Sequence, residues 1–249
     1  MVSGGDYSGL TALVTGGAKR LGGEISLHLA RGGARTLVHY HLSEKEAKRL
    51  LTIARKEGLN IELFRADLSG KEEVFKLADE VIKKELKLDI LVLNAAKYAE
   101  IKFADTEYAE AEEFIRLNLF APYFLVQRLA PFISASPNGV VVAMGDIAGI
   151  QAWRNHSAYS VAKSALMHLV RVLAVELAPK IRVNGVAPGM VIPHGSISKK
   201  RLELLRARIP LKRFASVADI LKTIDFIVAN ESLTGQVIVV DGGRSVATG

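Results

Sequence analysis

Tyr159 and Lys163 stand four positions apart in a helix-period stretch, Ser157 to Leu177. On a helix such a pair shares one face. An ammonium beside a phenol favours the phenolate, so the pair can pass a proton near neutral pH. The spacing alone is common on surface helices, where it carries no chemistry. It gains weight from a glycine turn far upstream, Thr15-Gly16-Gly17-Ala18-Lys19-Arg20-Leu21-Gly22. Backbone N–H groups in such a turn can approach a pyrophosphate at a helix N-terminus. Gly16, Gly17 and Gly22 leave room for that approach.

The end of the next strand discriminates between dinucleotides. An acid there would bind a ribose 2′-hydroxyl and repel a 2′-phosphate. The chain offers Tyr40-His41-Leu42-Ser43, with no acid before Glu44. Lys19 and Arg20 are candidate partners for the phosphate. NADPH is therefore expected over NADH.

These residues must be positioned by regular elements. Apolar runs of strand length alternate with helix-period segments. Strands are predicted at Leu10–Thr15, Thr36–Tyr40, Ile61–Ala66, Asp89–Leu93, Val140–Met144, Ile181–Val186 and Val237–Val240. Helices are predicted at Leu21–Arg31, Ser43–Glu57, Lys71–Leu86, Glu110–Ile133 and Ser157–Leu177. Ser43, with Glu46 three residues on, is expected to form a capping box. Continuous Val/Ile/Leu strands alternating with helices imply a doubly wound parallel sheet. The expected fold is α/β, a single Rossmann-like domain over residues 1–249. The irregular stretch 188–213 follows a late strand, where substrate-covering loops are placed.

Composition narrows the function classes. The 249 residues are 49% hydrophobic, which suits a filled globular core. Cysteine is absent, excluding disulfides, thiol catalysis and thiolate metal sites. No metal is called for. No apolar run is expected to span a bilayer, and the first residues lack the pattern of a secretory signal. The expected location is the cytoplasm, with no membrane partner. The net charge is +7, largely interleaved with acids. The exception is Lys199 to Arg213, with seven basic residues and the single acid Glu203. It has no aromatic interleaving and fits no nucleic-acid module. An anionic substrate or an acidic carrier protein is the functional reading of that segment; a solvated face is the plain one.

Taken in order, the motifs resemble the short-chain dehydrogenase/reductase family over essentially the whole chain. Thr15-Gly16 and Gly22 match its cofactor turn. Asp67-Leu68 follows the third strand, where the family places adenine. Asn94-Ala95-Ala96 is similar to its Asn-Ala-Gly motif. Asn118, Tyr159-x-x-x-Lys163 and Pro188-Gly189 complete the series. The resemblance implies that Tyr159 is the general acid, that Lys163 lowers its pKa and holds the nicotinamide ribose, and that Asn118 positions a relay water. It also implies a small-molecule substrate and a homodimer or homotetramer.

Three positions depart from the family pattern. Arg20 replaces the middle glycine of the turn, and Ala96 replaces the glycine after Asn94-Ala95. Asp146, thirteen residues before Tyr159, stands where the family has a catalytic serine. An ionised carboxylate is acceptor-only and cannot donate to a carbonyl. It would also raise the pKa of the tyrosine. This combination resembles the pteridine reductase branch, which shares the Lys-Arg-Leu-Gly turn, the His-Tyr-His-x-Ser strand end and the aspartate. That resemblance implies that Tyr98 stacks a pterin and that Asp146 meets its N–H edge. His41 and Ser43 would line the phosphate pocket with Lys19, Arg20 and Leu21. The rival readings are a 3-oxoacyl-(acyl-carrier-protein) reductase and a cofactor-binding regulator without turnover.

Overall fold

Seven apolar runs form one parallel sheet. The computed structural model describes residues 5–84, 87–192 and 198–247. The strands are β1 Thr11–Val14, β2 Arg35–Tyr40, β3 Ile61–Arg65, β4 Ile90–Leu93, β5 Val140–Met144, β6 Arg182–Pro188 and β7 Val237–Val240. Their order is β3-β2-β1-β4-β5-β6-β7. Strands β1, β4 and β5 are buried along their whole length, so both faces must be apolar.

Alternate residues serve opposite layers. Leu13, Leu91, Leu93, Val141 and Ala143 share one core with Val74, Leu77, Leu125 and Leu166. Ala12, Val14, Ile90, Val92, Val140 and Val142 face a second core with Ile25, Leu29, Ile220 and Ile224. The helices supplying these layers are α1 Arg20–Arg31, α2 Glu44–Glu57, α3 Lys71–Lys84, α4 Tyr108–Ile115, α5 Ala121–Ile133, α6 Ser157–Glu176, α7 Lys199–Ala207 and α8 Val217–Ala229. Truncating a fully buried side chain such as Leu13 to alanine costs about 2–5 kcal/mol. The chain reverses its winding between β1 and β4. In such sheets ligands bind there, outside the carboxyl ends of the strands.

Several expectations need correction. The helix predicted over Glu110–Ile133 is α4 and α5 joined by a π-helical segment, Arg116–Phe120. Such bulges occur often at functional sites; this one carries Asn118, which is buried. Ser43 precedes α2, but its side chain makes no capping hydrogen bond. The end of the helix predicted to Leu86 lies outside the described residues, as does 193–197 of the irregular stretch. The rest of that stretch is not irregular throughout: it contains α7, Lys199–Ala207. Helix α6 is long and apolar enough by composition to cross a bilayer, with mean hydropathy 1.3. Its Leu166, Leu169, Val170 and Ala174 instead pack into the first core.

Candidate active site

The turn after β1 is held from beneath. Thr15 Oγ1 accepts from Asn94 N at 2.9 Å and Ala95 N at 3.1 Å. Asn94 Nδ2 donates to the carbonyls of Thr15 and Gly16, both at 3.0 Å. Gly16 has φ +61, and a Cβ on Gly22 would lie 2.2 Å from the Gly16 oxygen. No larger residue fits Gly22 without moving the turn. Arg20, in place of the family's glycine, keeps a left-handed φ of 52. That conformation costs an ordinary side chain about 1–3 kcal/mol.

Next to this turn the residues expected to pass a proton converge. Asp146 follows β5 and caps a short 3-10 turn, Ile147–Gly149. Its Oδ1 accepts from Ala148 N at 2.8 Å, and its Oδ2 accepts from the Tyr159 hydroxyl at 2.7 Å. Lys163 lies one turn along α6 and is buried. Its Nζ donates to the Met144 carbonyl at 2.7 Å and lies 6.0 Å from the centre of the Tyr159 ring. This corrects the expectation that Lys163 favours a phenolate. Burial first, then the Asp146 charge and hydrogen bond, raise the Tyr159 pKa far above the usual phenol value. The phenol is protonated and aimed at a carboxylate. Burial also pushes the Lys163 ammonium down to about 8, against the opposing pull of Asp146.

Asn118 Nδ2 donates to the Lys97 carbonyl at 3.1 Å. Its Oδ1 is buried and accepts no hydrogen bond from the described residues. An unsatisfied buried acceptor costs about 1–3 kcal/mol, so its presence invites a partner.

Tyr98 stands edge-on to Tyr159, with ring centres 5.1 Å apart. Two bonds fix its hydroxyl. His156 Nδ1 contacts the Arg154 carbonyl at 2.8 Å, which requires a proton on that nitrogen. With Nδ1–H so placed, Nε2 of a neutral imidazole accepts from the Tyr98 hydroxyl at 2.9 Å. Tyr98 remains 39% exposed and lines the cleft.

The predicted cofactor residues Gly16, Lys19, Arg20, Leu21, His41, Ser43, Asp67, Leu68, Asn94, Ala95, Ala96, Pro188 and Gly189 all line one cleft of about 1400 Å³. Tyr98, Asp146, Tyr159 and Lys163 line it too. Asn118 does not; it sits beneath, against the Lys97 carbonyl. A ligand of drug size takes about 300–1,000 Å³, so the cleft can take a dinucleotide and a second molecule. Asp67 Oδ1 accepts from Ser69 N at 3.0 Å and Ser69 Oγ at 2.8 Å, and lies 3.7 Å from His41 Nδ1. The Arg20 guanidinium donates to the Ile192 carbonyl at 2.8 Å, beyond β6 and on the far side of the sheet from β2. Of the two expected phosphate partners, Lys19 remains free of that tie.

His39 is the first residue of the His-Tyr-His-x-Ser strand end, but the sequence assigns it no role. It is buried in β2 and accepts from Gly16 N at 3.0 Å through Nδ1. Its Nε2 donates to the Ala66 carbonyl at 3.0 Å. Burial holds its pKa down at about 4. One imidazole thereby links β1, β2 and the end of β3 behind the glycine turn. The signal was a histidine inside an otherwise apolar strand. Trp153, His156 and Arg244 were missed as well. They line the same cleft, with the Arg244 guanidinium 5.8 Å from the Trp153 ring.

Residues 16–245 match the family described as enoyl-(acyl carrier protein) reductase. The chain is 32% identical over 239 residues to the uncharacterized oxidoreductase YmfI of Bacillus subtilis, covering 94% of this chain and 98% of that one. It is 28% identical over 238 residues to the 3-oxoacyl-(acyl-carrier-protein) reductase FabG of Staphylococcus epidermidis, covering 94% and 98%. Among solved structures it is similar to FolM, alternative dihydrofolate reductase 1 from Brucella canis complexed with NADP. The TM-score is 0.91 at 29% identity, covering 98% of this chain and 97% of that one.

Proposed function

Since the chain belongs to the short-chain dehydrogenase/reductase family, we propose that it is an NADPH-dependent reductase of a pterin or a similar nitrogen heterocycle. The carrying observation is the Tyr159 hydroxyl donating to Asp146 at 2.7 Å. The family's serine would donate to a substrate carbonyl. Here an acceptor holds that place, next to a proton donor.

The site suits the cofactor. The glycine turn admits no Cβ at Gly22, which keeps its backbone accessible to a pyrophosphate. Lys19, His41 and Ser43 would surround a 2′-phosphate, Asp67 and Leu68 the adenine, and Lys163 the nicotinamide ribose. Asn94, Ala95, Ala96, Pro188 and Gly189 would complete the walls. Bound NADPH supplies the hydride.

The chain's own residues then handle the proton. A heterocycle presenting an N–H edge satisfies Asp146, which releases the phenol from its present acceptor. Tyr159 gives its proton to the ring nitrogen as carbon receives the hydride. Lys163 and a water on Asn118 Oδ1 restore that proton. Tyr98 offers its ring for stacking, and Val191, Ile192, Arg201 and Leu205 wall the substrate side of the cleft.

Similarity to FabG and FolM supports the reductase chemistry. The FolM likeness favours the heterocycle. Reduction of a 3-oxoacyl thioester is the second reading, favoured by the FabG relatives. Asp146 opposes it, because a carboxylate repels a developing alkoxide. We also infer a homodimer or homotetramer. Tyr123 of α5 and Val161, Val172 and Val175 of α6 are exposed apolar residues that a second copy would cover. NADPH oxidation measured with dihydropterins beside acetoacetyl thioesters tests the substrate. Turnover of the thioesters alone would reject the heterocycle and leave the reductase.

A further inference from the structure

The cleft carries a second charge feature, at the mouth rather than at the chemistry. Arg154 before α6, Arg201 and Arg208 of α7 and its C-terminal end, and Arg244 after β7 all line it. Three separate parts of the chain supply them. Arg201, Leu205 and Arg208 follow an i, i+4, i+7 spacing, so one face of α7 turns toward the cleft.

Three neighbouring bases are already engaged. Arg213 pairs with Asp219 at 2.8 Å, Lys212 Nζ donates to the Ala207 carbonyl at 2.8 Å, and Arg206 stacks 5.7 Å from the Phe214 ring. The four guanidinium groups at the mouth pair with no carboxylate among the described residues. The acids that line the cleft have other partners. Asp146 accepts from Tyr159 and Ala148, Asp67 from Ser69, and Glu100 from Asn155 at 3.2 Å. Arg244 is held over Trp153, which fixes its direction.

We infer that these four arginines form an anion handle for a substrate whose reducible group sits at Tyr159 and whose tail carries carboxylate or phosphate. Planar guanidinium groups suit both anions through paired N–H donors. The inference rests on the reductase reading of the same cleft, but not on the choice between heterocycle and thioester.

Two matched substrate pairs test it. Dihydrofolate and dihydropterin share a ring, and only the first carries a glutamyl tail. Acetoacetyl-coenzyme A and acetoacetyl-N-acetylcysteamine share a thioester, and only the first carries phosphates. The handle predicts a higher kcat/KM for the tailed member of whichever pair is turned over. That preference shrinks as salt rises, because exposed charges are screened. In Arg201→Ala and Arg208→Ala the tailed member loses more than the truncated one, by about two- to fivefold per arginine. The double variant Arg201→Glu/Arg208→Glu should remove the preference. Calorimetric affinities of the four compounds for the NADP-saturated protein read the handle even where turnover is absent. Equal kcat/KM and equal affinity within both pairs would overturn it. So would a tail preference that neither salt nor the variants change. Turnover of the thioesters alone, with the tailed member preferred, would reject the pterin reading and keep the handle.

Discussion

The Tyr159 hydroxyl donates to Asp146 Oδ2 at 2.7 Å, while Lys163 Nζ is turned away to the Met144 carbonyl. Burial first, and then this partner, keep the phenol protonated. Tyr159→Phe removes that proton and almost no volume. Turnover should fall about a hundred- to ten-thousand-fold, the range for a general acid. Affinity for NADPH, measured by calorimetry, should stay near the native value. Native turnover in the variant would show that the proton comes from elsewhere.

Cofactor choice should rest on Lys19 rather than Arg20. Lys19→Ala should weaken NADPH by about 1.5–3 kcal/mol, the worth of a hydrogen bond to a charged group, with little effect on NADH. Arg20 bonds to the Ile192 carbonyl, so Arg20→Ala should weaken both dinucleotides alike. Titrations with NADPH and NADH compare the two variants. A loss confined to NADPH in Arg20→Ala would place its guanidinium on the 2′-phosphate.

Lys163 gives a pH signature. Burial holds it at about 8, against 10.5 for an ordinary lysine. Below pH 8 both folded and unfolded chains carry its proton, and the full cost of burial is present. Between about 8 and 10.5 the unfolded chain binds more protons, so this contribution to stability rises with pH, by roughly 3 kcal/mol in all. Urea melts of cofactor-free protein should show that rise relative to Lys163→Met. Parallel pH profiles for the two proteins would contradict it.

His39 acts in the opposite pH range. Its folded pKa of about 4 lies below the ordinary 6.5. Because burial excludes the charged ring, the neutral imidazole contributes stability above pH 6.5 that is lost as pH falls toward 4, where protonation also breaks the Gly16 N–H bond to Nδ1. The charged groups nearby are His41 and Asp67, with opposite effects on it. His39→Leu strands the Gly16 N–H and should cost about 1–3 kcal/mol. Melting temperature and NADPH affinity should both fall. A variant with native affinity would make His39 a packing residue only.

Much of this arrangement was legible in the residues. Strands such as Val140–Met144 declare themselves because both faces are buried. The glycine turn does so because Gly16 and Gly22 permit what no other residue does. Helix α8 was legible in principle, since Ile220, Ile224 and Ile227 repeat at helical spacing. Helix α7 was less so, because none of its residues is buried. The partners of Lys163, Arg20 and His39 come from strands or loops distant in sequence, and no spacing reveals them. Ser43 had the pattern of a cap, but its side chain lines the cleft instead of bonding α2.

The most direct measurement is the ratio of kcat/KM for dihydropterin to that for an acetoacetyl thioester, in the native chain and in Asp146→Ser. Asp146 is an acceptor that suits a ring N–H; serine restores a donor that suits a carbonyl oxygen. The substitution should lower the ratio by about a hundredfold or more, the penalty when a hydrogen-bonding site loses its match. Asp146→Asn, which keeps an acceptor oxygen without the charge, should fall between. An unchanged ratio in Asp146→Ser, in a protein that folds and binds NADPH normally, would contradict the role assigned to Asp146.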